Sequence, residues 1–375
     1  MNQNTPRTSS APDLPFAGGA PRIVLVADDI TGACDSGTHF AQRGLPARLL
    51  LHGAHRCEPV LTLCTSTRNA TDDQASAALR RTLNAIPTSW HEHALFFLKL
   101  DSAARGPIAA SILVAAETLQ PKVILYAPAF PALQRTVDQG VLRICDIAGQ
   151  QTLVSLRDLF PASVHNRIAI IPTGSQSTLH EAMLEALDDG RNILLCDSTS
   201  TDDLNTLAQT VLSLSLKTLW VGSGGLASSL AEALSPNKAA STQPLPTGPA
   251  LLICGTNHPV TMLQLDALQE QHATAEPAHI LQIDWQQTMP AEIRAHVAQH
   301  QPATLILTGG DTAAFVLDAL DANSILLCHE LAPGIPLGRL TGGLTDGCNV
   351  ITKSGGFGDG SALLNIFNLC TGAAA

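Results

Sequence analysis

The sequence predicts an α/β protein of two domains, each with a largely parallel sheet flanked by helices, and a site in the cleft between them. Three observations carry this expectation. Short apolar runs ending in small or acidic residues alternate along the chain with segments of helical period. Runs of that length suit strands buried on both faces, and their alternation with helices implies parallel order. The stretch SPNKAASTQPLPTGP at 235–249 is rich in Pro, Ser and Thr and has no periodicity, yet a strand pattern resumes directly after it. With 375 residues the chain is long enough for two domains of roughly 100–200 residues each. The expected division is therefore a disordered, polar tail at 1–20, a first domain at 21–234, a linker at 235–249 and a second domain at 250–375.

Composition narrows the function classes. Hydrophobic residues make up 45% of the chain and aromatics only 3%, so the core must be aliphatic and rich in alanine. A net charge of -11 argues against a general binder of nucleic acid or anionic membrane, since either needs a basic surface. A small anionic ligand needs only a local basic cluster and stays open. Nine cysteines are scattered singly without a CxxC pair, which reads as free thiols in a reducing cytoplasm. No apolar run reaches the roughly 18–20 residues of a membrane span, and the opening MNQNTPRTSSAPDLPFAGGA lacks the apolar centre of a secretion signal. The expected location is cytoplasmic; composition leaves a homodimer open.

The first run, RIVLVADDITGACDSG at 22–37, ends a strand in Asp28 and Asp29 and then begins a helix. Adjacent carboxylates on an extended backbone point to opposite sides, so one can face a ligand while the other caps the helix. Open α/β sheets bind ligands beyond the carboxyl ends of their strands, so these are candidate catalytic acids. TLCTSTRNA then places Arg68 after an apolar run, and FFLKLDSAARG places Lys99, Asp101 and Arg105 around a third strand end. Bases for a carboxylate and acids for hydroxyls could together seat a small polyhydroxy acid, although each alone could be a surface ion pair.

Further along, NILLCDSTSTDDLNTLAQTVL and TLWVGSGGLASSLAEAL repeat the strand–helix arrangement. After the linker, LLICGTNHPVTMLQLDAL sets Thr256, Asn257 and His258 in a strand-to-helix loop. TLILTGGDTAAFVLDAL then sets Gly309, Gly310, Asp311 and Thr312 at a helix start. A helix N-terminus offers unpaired N–H groups and partial positive charge, and glycine lets a phosphate approach the backbone; Asp311 or Thr312 could equally be a plain cap. VITKSGGFGDG at 350–360 is the more specific signal. Lys353 follows a strand, and Gly355, Gly356 and Gly358 follow the lysine, which could reach a phosphate as a compact charge. The chain has no GK dipeptide, so a Walker A loop is absent, and no clean GxGxxG opens a first βαβ unit. Three candidate anion loops in one segment point to a nucleotide site of another type. Their few positive charges call for Mg²⁺ beside a triphosphate.

ADDITGACDSG, STR at 66–68, KLDSAARG, APAFP at 127–131, GSGGLA, GGDTA, PGIPLGRLTGG at 333–343 and TKSGGFGD at 352–359 occur in that order. Together they resemble the four-carbon acid sugar kinase family over about residues 22–365. The resemblance implies a substrate-binding first domain, a nucleotide-binding second domain and ATP-dependent phosphorylation of the C4 hydroxyl of a tetronate or 3-oxo-tetronate. It also implies ATP contacts at 256–258, the GGDT loop and the KSGGFG loop, and substrate contacts at Asp28, Asp29, Arg68, Lys99, Asp101 and Arg105. The chain departs from the family pattern at Ala103 and Ala104, at Gln134 before Arg135, and at the loop Gly255-Thr256-Asn257-His258. The rival readings are a phosphosugar isomerase or dehydrogenase using the same anion loops, and a sensor of sugar acid and nucleotide without turnover.

Overall fold

The computed structural model describes residues 22–52, 58–146, 149–235, 245, 247–272, 279–284 and 286–372. The tail expected at 1–20 and most of the linker expected at 235–249 lie outside the described residues.

The first half is built on parallel strands. In spatial order they are Ala47–Leu50, Val60–Cys64, Ile23–Ala27, Leu95–Lys99, Thr218–Gly222, Val123–Ala127, Ile193–Cys196 and Ile168–Ile171. The strand Ile23–Ala27 reads IVLVA and is buried throughout, as a strand covered on both faces should be. Its register sets Ala27 level with Cys64 on one side and Lys99 on the other. The chain leaves this strand first to one side and later to the other, so its carboxyl end is a topological switch point, the place where open sheets form a ligand crevice. Asp28, the Arg68 loop and the Lys99–Asp101 segment are brought together there.

In the second half, His279–Gln282, Ala250–Cys254, Thr304–Thr308 and Asn349–Lys353 run parallel, followed by Ile335–Thr341 and Ser324–Ala332 in antiparallel order. Thr308 stands level with Cys254 and Lys353, so the three glycine-bearing loops emerge side by side from adjacent strand ends.

The two sheets are not separate. Ser324–Ala332 pairs antiparallel with Ala47–Leu50, joining the halves into a 14-stranded sheet. Ala47–Leu50 is wholly buried, and left as an open edge it would expose unpaired backbone groups; the long partner strand covers it. The Ile30–Gln42 helix, buried from Ile30 to Phe40, lies under the same junction. A Cβ on its Gly37 would overlap Leu327 of the opposite half, so glycine there permits the close packing. The larger hydrophobic core runs across both halves, and a smaller one around Leu252, Leu268, Ile351 and Phe367 fills the outer face of the second. A small antiparallel ribbon, Arg135–Asp138, Val141–Cys145 and Gln151–Ser155, stands off the first sheet.

Candidate active site

The strand ends open into a cleft of about 1020 Å³ between the halves. That volume lies near the upper end of small-molecule sites, large enough for a nucleotide beside a small second ligand.

Asp28 and Asp29 divide as their alternate directions require. Asp28 is turned inward, where Arg68 grips it in a two-point ion pair, Nε to Oδ2 at 3.1 Å and Nη2 to Oδ1 at 2.6 Å. Burial pushes its carboxyl up while the guanidinium pulls it down, and burial prevails. Asp29 caps the Ile30–Gln42 helix, Oδ1 accepting from Gly32 N at 2.8 Å and Oδ2 from Thr31 Oγ1 at 2.5 Å. It also meets Arg68 Nη2 at 2.7 Å and lines the cleft. Arg68 thus joins both carboxylates. Burial works against its charge, but Asp29, Asp28 and Asp101 together hold its pKa well above the ordinary value.

Lys99 and Asp101 lie behind the cleft wall. The Lys99 ammonium donates to Leu100 O at 3.2 Å and sits against Gly32 under the helix N-terminus. Asp101 accepts from Arg105 Nε at 2.5 Å and Nη2 at 3.2 Å. Against the upward push of burial, Arg105, Arg68 and Arg135 hold its carboxyl far below the usual range. Arg105 reaches the cleft itself.

On the opposite wall, Gly309 takes φ +100 at the start of the Gly310–Ala319 helix, a backbone shape that favours glycine. Gly310 makes the closest approach between the halves: a Cβ there would stand 2.7 Å from Asp29 Oδ2. Asp311 follows in the first turn, accepting from Asn69 Nδ2 of the first half at 3.2 Å, with its carboxyl raised by burial and by Asp29. Thr256 Oγ1 accepts from His258 N at 3.3 Å. His258 Nδ1 accepts from Val260 N at 3.3 Å, which leaves the neutral ring's proton on Nε2, beside Gly356. Burial, then Arg105 and Lys353, keep that ring neutral to lower pH than usual. Gly355, Gly356 and Gly358 line the same wall.

Three residues singled out by sequence stand apart. Lys353 has 0% exposure, its ammonium donating to Thr261 Oγ1 at 3.3 Å and Ser354 O at 3.1 Å beneath the glycine loop. Burial lowers its pKa to about 8. Thr312 is buried against Gly255 and Gly309, bracing the loop backbone, and Asn257 is exposed outside the cleft lining.

The structure adds residues that the sequence does not place at the site. Arg135, carried in by the antiparallel ribbon, donates from Nη1 to Ser102 Oγ and lies 5.2 Å from the centre of the Phe357 ring in the KSGGFG loop. Its Nε is buried without a hydrogen-bond partner among the described residues, although the residue borders the cleft. Burial lowers its pKa against the pull of Asp101. The one sequence signal was an arginine shortly after APAFP. Asn69 is the other addition; nothing in its local sequence marks it.

One wall presents paired acids and arginines, the other presents glycine loops at a helix start. This defines an α/β protein in two parts that face each other across a cleft. Family comparison agrees: residues 23–230 match the model of a sugar-binding N-terminal domain and residues 206–363 that of a nucleotide-binding C-terminal domain. The chain belongs to the four-carbon acid sugar kinase family. It is 29% identical to a D-threonate kinase of Bordetella bronchiseptica, over 92% of this chain and 96% of that one. It is 22% identical to a D-erythronate kinase of Heliobacterium modesticaldum (91% and 95%) and 24% identical to a 3-oxo-tetronate kinase of Methylobacterium radiotolerans (89% and 95%). The fold matches crystal structures of a Salmonella typhimurium protein (TM-score 0.71, 18% identity, 92% of this chain and 98% of that one) and a Haemophilus influenzae protein (TM-score 0.67, 18%, 93% and 99%). Among the described residues no helix is long and apolar enough to cross a membrane.

Proposed function

We propose that the protein is a kinase transferring the γ-phosphoryl group of ATP to the C4 hydroxyl of a four-carbon sugar acid such as threonate, erythronate or a 3-oxo-tetronate. The observation that carries this reading is the approach of Gly310 to Asp29. It sets a carboxylate of the sugar side against a helix N-terminus on the nucleotide side, so donor and acceptor would meet at one point.

The first half, 21–234, binds the acid and the second, 250–375, binds ATP, with 235–249 joining them. Relatives named as kinases of such acids cover nearly the whole chain. Asp29 orients the acceptor hydroxyl and takes its proton as the oxygen bonds to the γ-phosphorus and the bond to the β-phosphate oxygen breaks, releasing ADP. Asp28 is occupied by Arg68 and serves to hold that guanidinium in place. Arg68, Arg105 and Arg135, which all border the cleft, supply positive charge for the substrate carboxylate. Lys99 and Asp101 stiffen this wall from behind.

Backbone N–H groups of Gly310 and Asp311 face the phosphates, helped by Gly309, Gly355, Gly356 and Gly358 and by the proton on His258 Nε2. Thr256 and Thr312 fix the loops, Asn257 lies at the outer edge, and Lys353 supports the KSGGFG loop from below. The side chains present also fit Mg²⁺, since Asp29 and Asp311 are carboxylates on facing walls, and burial with like charge already raises Asp311. When bound, the ion would neutralise phosphate charge.

The test is ADP release with ATP and Mg²⁺ against D- and L-threonate, D- and L-erythronate and 3-oxo-tetronates. Turnover on one of them is expected. ATP binding without turnover on any would overturn the kinase reading in favour of a sensor.

A further inference from the structure

Beneath the junction of the halves, away from the cleft lining, lies a second cluster of chemically capable groups. Asp35 and His39 occupy successive turns on one face of the Ile30–Gln42 helix, and Glu330 faces them from the Ser324–Ala332 strand. Asp35 is 3% and His39 7% exposed. His39 Nε2 stands 3.8 Å from Asp35 Oδ1, and His39 Nδ1 stands 3.6 Å from Glu330 Oε2. Both separations are too long for hydrogen bonds. Among the described residues Asp35 Oδ1 and His39 Nε2 are therefore buried without a partner, an arrangement that costs free energy unless something joins them.

The surroundings fix what that something must be. Glu330 Oε1 is already used, accepting from Gly334 N at 2.8 Å, so Oε2 is the oxygen free to turn toward His39. Asp35 Oδ2 lies against Gly224, which orients Oδ1 toward the histidine. One nitrogen and two carboxylate oxygens all lie within 4.8 Å of one another, so a modest contraction brings each to a metal bond of about 2.0–2.2 Å. One buried and one half-buried carboxylate with a neutral imidazole balance the charge of a divalent ion. Mixed imidazole and carboxylate ligands suit zinc better than magnesium. Lys99 adds positive charge near Asp35.

We infer that Asp35, His39 and Glu330 form a divalent-cation site of zinc-like preference that ties the first-half helix to the second-half strand. Its role is to brace the junction across which the cleft opens, and it does not depend on the kinase reading. The site is distinct from the Mg²⁺ position proposed between Asp29 and Asp311, because its ligands do not line the cleft.

The experiment uses full-length protein stripped with EDTA, without nucleotide. Because His279, His296 and His300 cluster at the surface, with ring centres 4.3 and 6.3 Å apart, it is run in a His296→Ala/His300→Ala background. Zn²⁺ is titrated by calorimetry, with bound metal counted by elemental analysis and Tm followed in parallel. One zinc per chain and a zinc-dependent rise in Tm are expected, with affinity weakened about tenfold or more by His39→Gln and by Glu330→Gln. Glu330→Gln retains an acceptor for Gly334 N, so it stays informative if His39→Gln does not fold. No bound zinc in the parent, or unchanged affinity in Glu330→Gln, overturns the site.

Discussion

The first-half wall of the cleft carries interlocked charged side chains, and the second-half wall carries glycine loops. On the first, Asp28, Asp29 and Asp101 are interlocked with Arg68, Arg105 and Arg135, so each charge is held in place by its neighbour. On the second, loops from adjacent strand ends present glycines and a helix start, while the lysine nearest them is turned under. A charged network can discriminate among small acids through its geometry, whereas a backbone cradle accepts the phosphate group common to any nucleoside triphosphate. On the proposed function, changes in the first wall should alter the choice of acid, and changes in the second should alter nucleotide use.

The largest effect belongs to the point where the walls touch. Asp29→Asn should lower kcat about 10³-fold while leaving ATP binding, followed by calorimetry, near its original strength. Asp28→Asn should act through Arg68, raising KM for the acid more than it lowers kcat. Equal losses from both variants would dissolve the distinction between a carboxylate in the cleft and one behind it.

Gly310→Ala comes next. The added Cβ would stand 2.7 Å from Asp29 Oδ2, so the helix start or the carboxylate must shift by a good fraction of an ångström. A shift of that size in a reacting group costs about 10²-fold in kcat. Steady-state kinetics should show loss on both substrates at once, because Gly310 of the second wall abuts Asp29 of the first. Full activity would mean the halves stand further apart during turnover.

Arg135→Lys tests the first wall alone. Lysine keeps the charge and loses the fork. KM for the acid should rise about tenfold with KM for ATP unchanged. If instead KM for ATP rises and KM for the acid does not, the contact with Phe357 matters through the nucleotide loop.

The sequence showed much of this fold and less of the site, for physical reasons. Buried parallel strands announce themselves as apolar runs, so IVLVA, LFFLK, TLILT and NVITK were legible, and with them the loops that follow. The pairing of Ala47–Leu50 with Ser324–Ala332 was not, because an edge-to-edge contact 270 or more residues apart leaves no local mark. Asp28 and Asp29 were visible as a pair, but only the folded cleft shows which of them lines it. Arg135 shows in the sequence only as a position of the family pattern; its place at the cleft does not, because its ribbon is short and half-buried. Lys353 was conspicuous as a charge beside glycines; whether that charge faces out or under depends on how the loop folds over Thr261, which no spacing reveals.

Lys353 gives the smallest effect and sharpens the contrast between the walls. Burial lowers its pKa from 10.5 to about 8 in the folded protein, while the unfolded chain keeps the ordinary value. Between those limits the unfolded chain binds a proton that the folded chain has released. Stability attributable to this residue therefore rises with pH from about 8 to 10.5, by at most about 1.4 kcal/mol per pH unit. Below pH 8 both states carry the charge, and its burial remains a constant cost. Lys353→Met fills similar space without charge, so urea unfolding across this pH range should show the slope in the parent and not in the variant. ATP affinity at neutral pH should fall only modestly, since the ammonium supports the loop from below. A large loss of ATP affinity, with no difference in slope, would place the lysine in the cleft and make the second wall a charged one like the first.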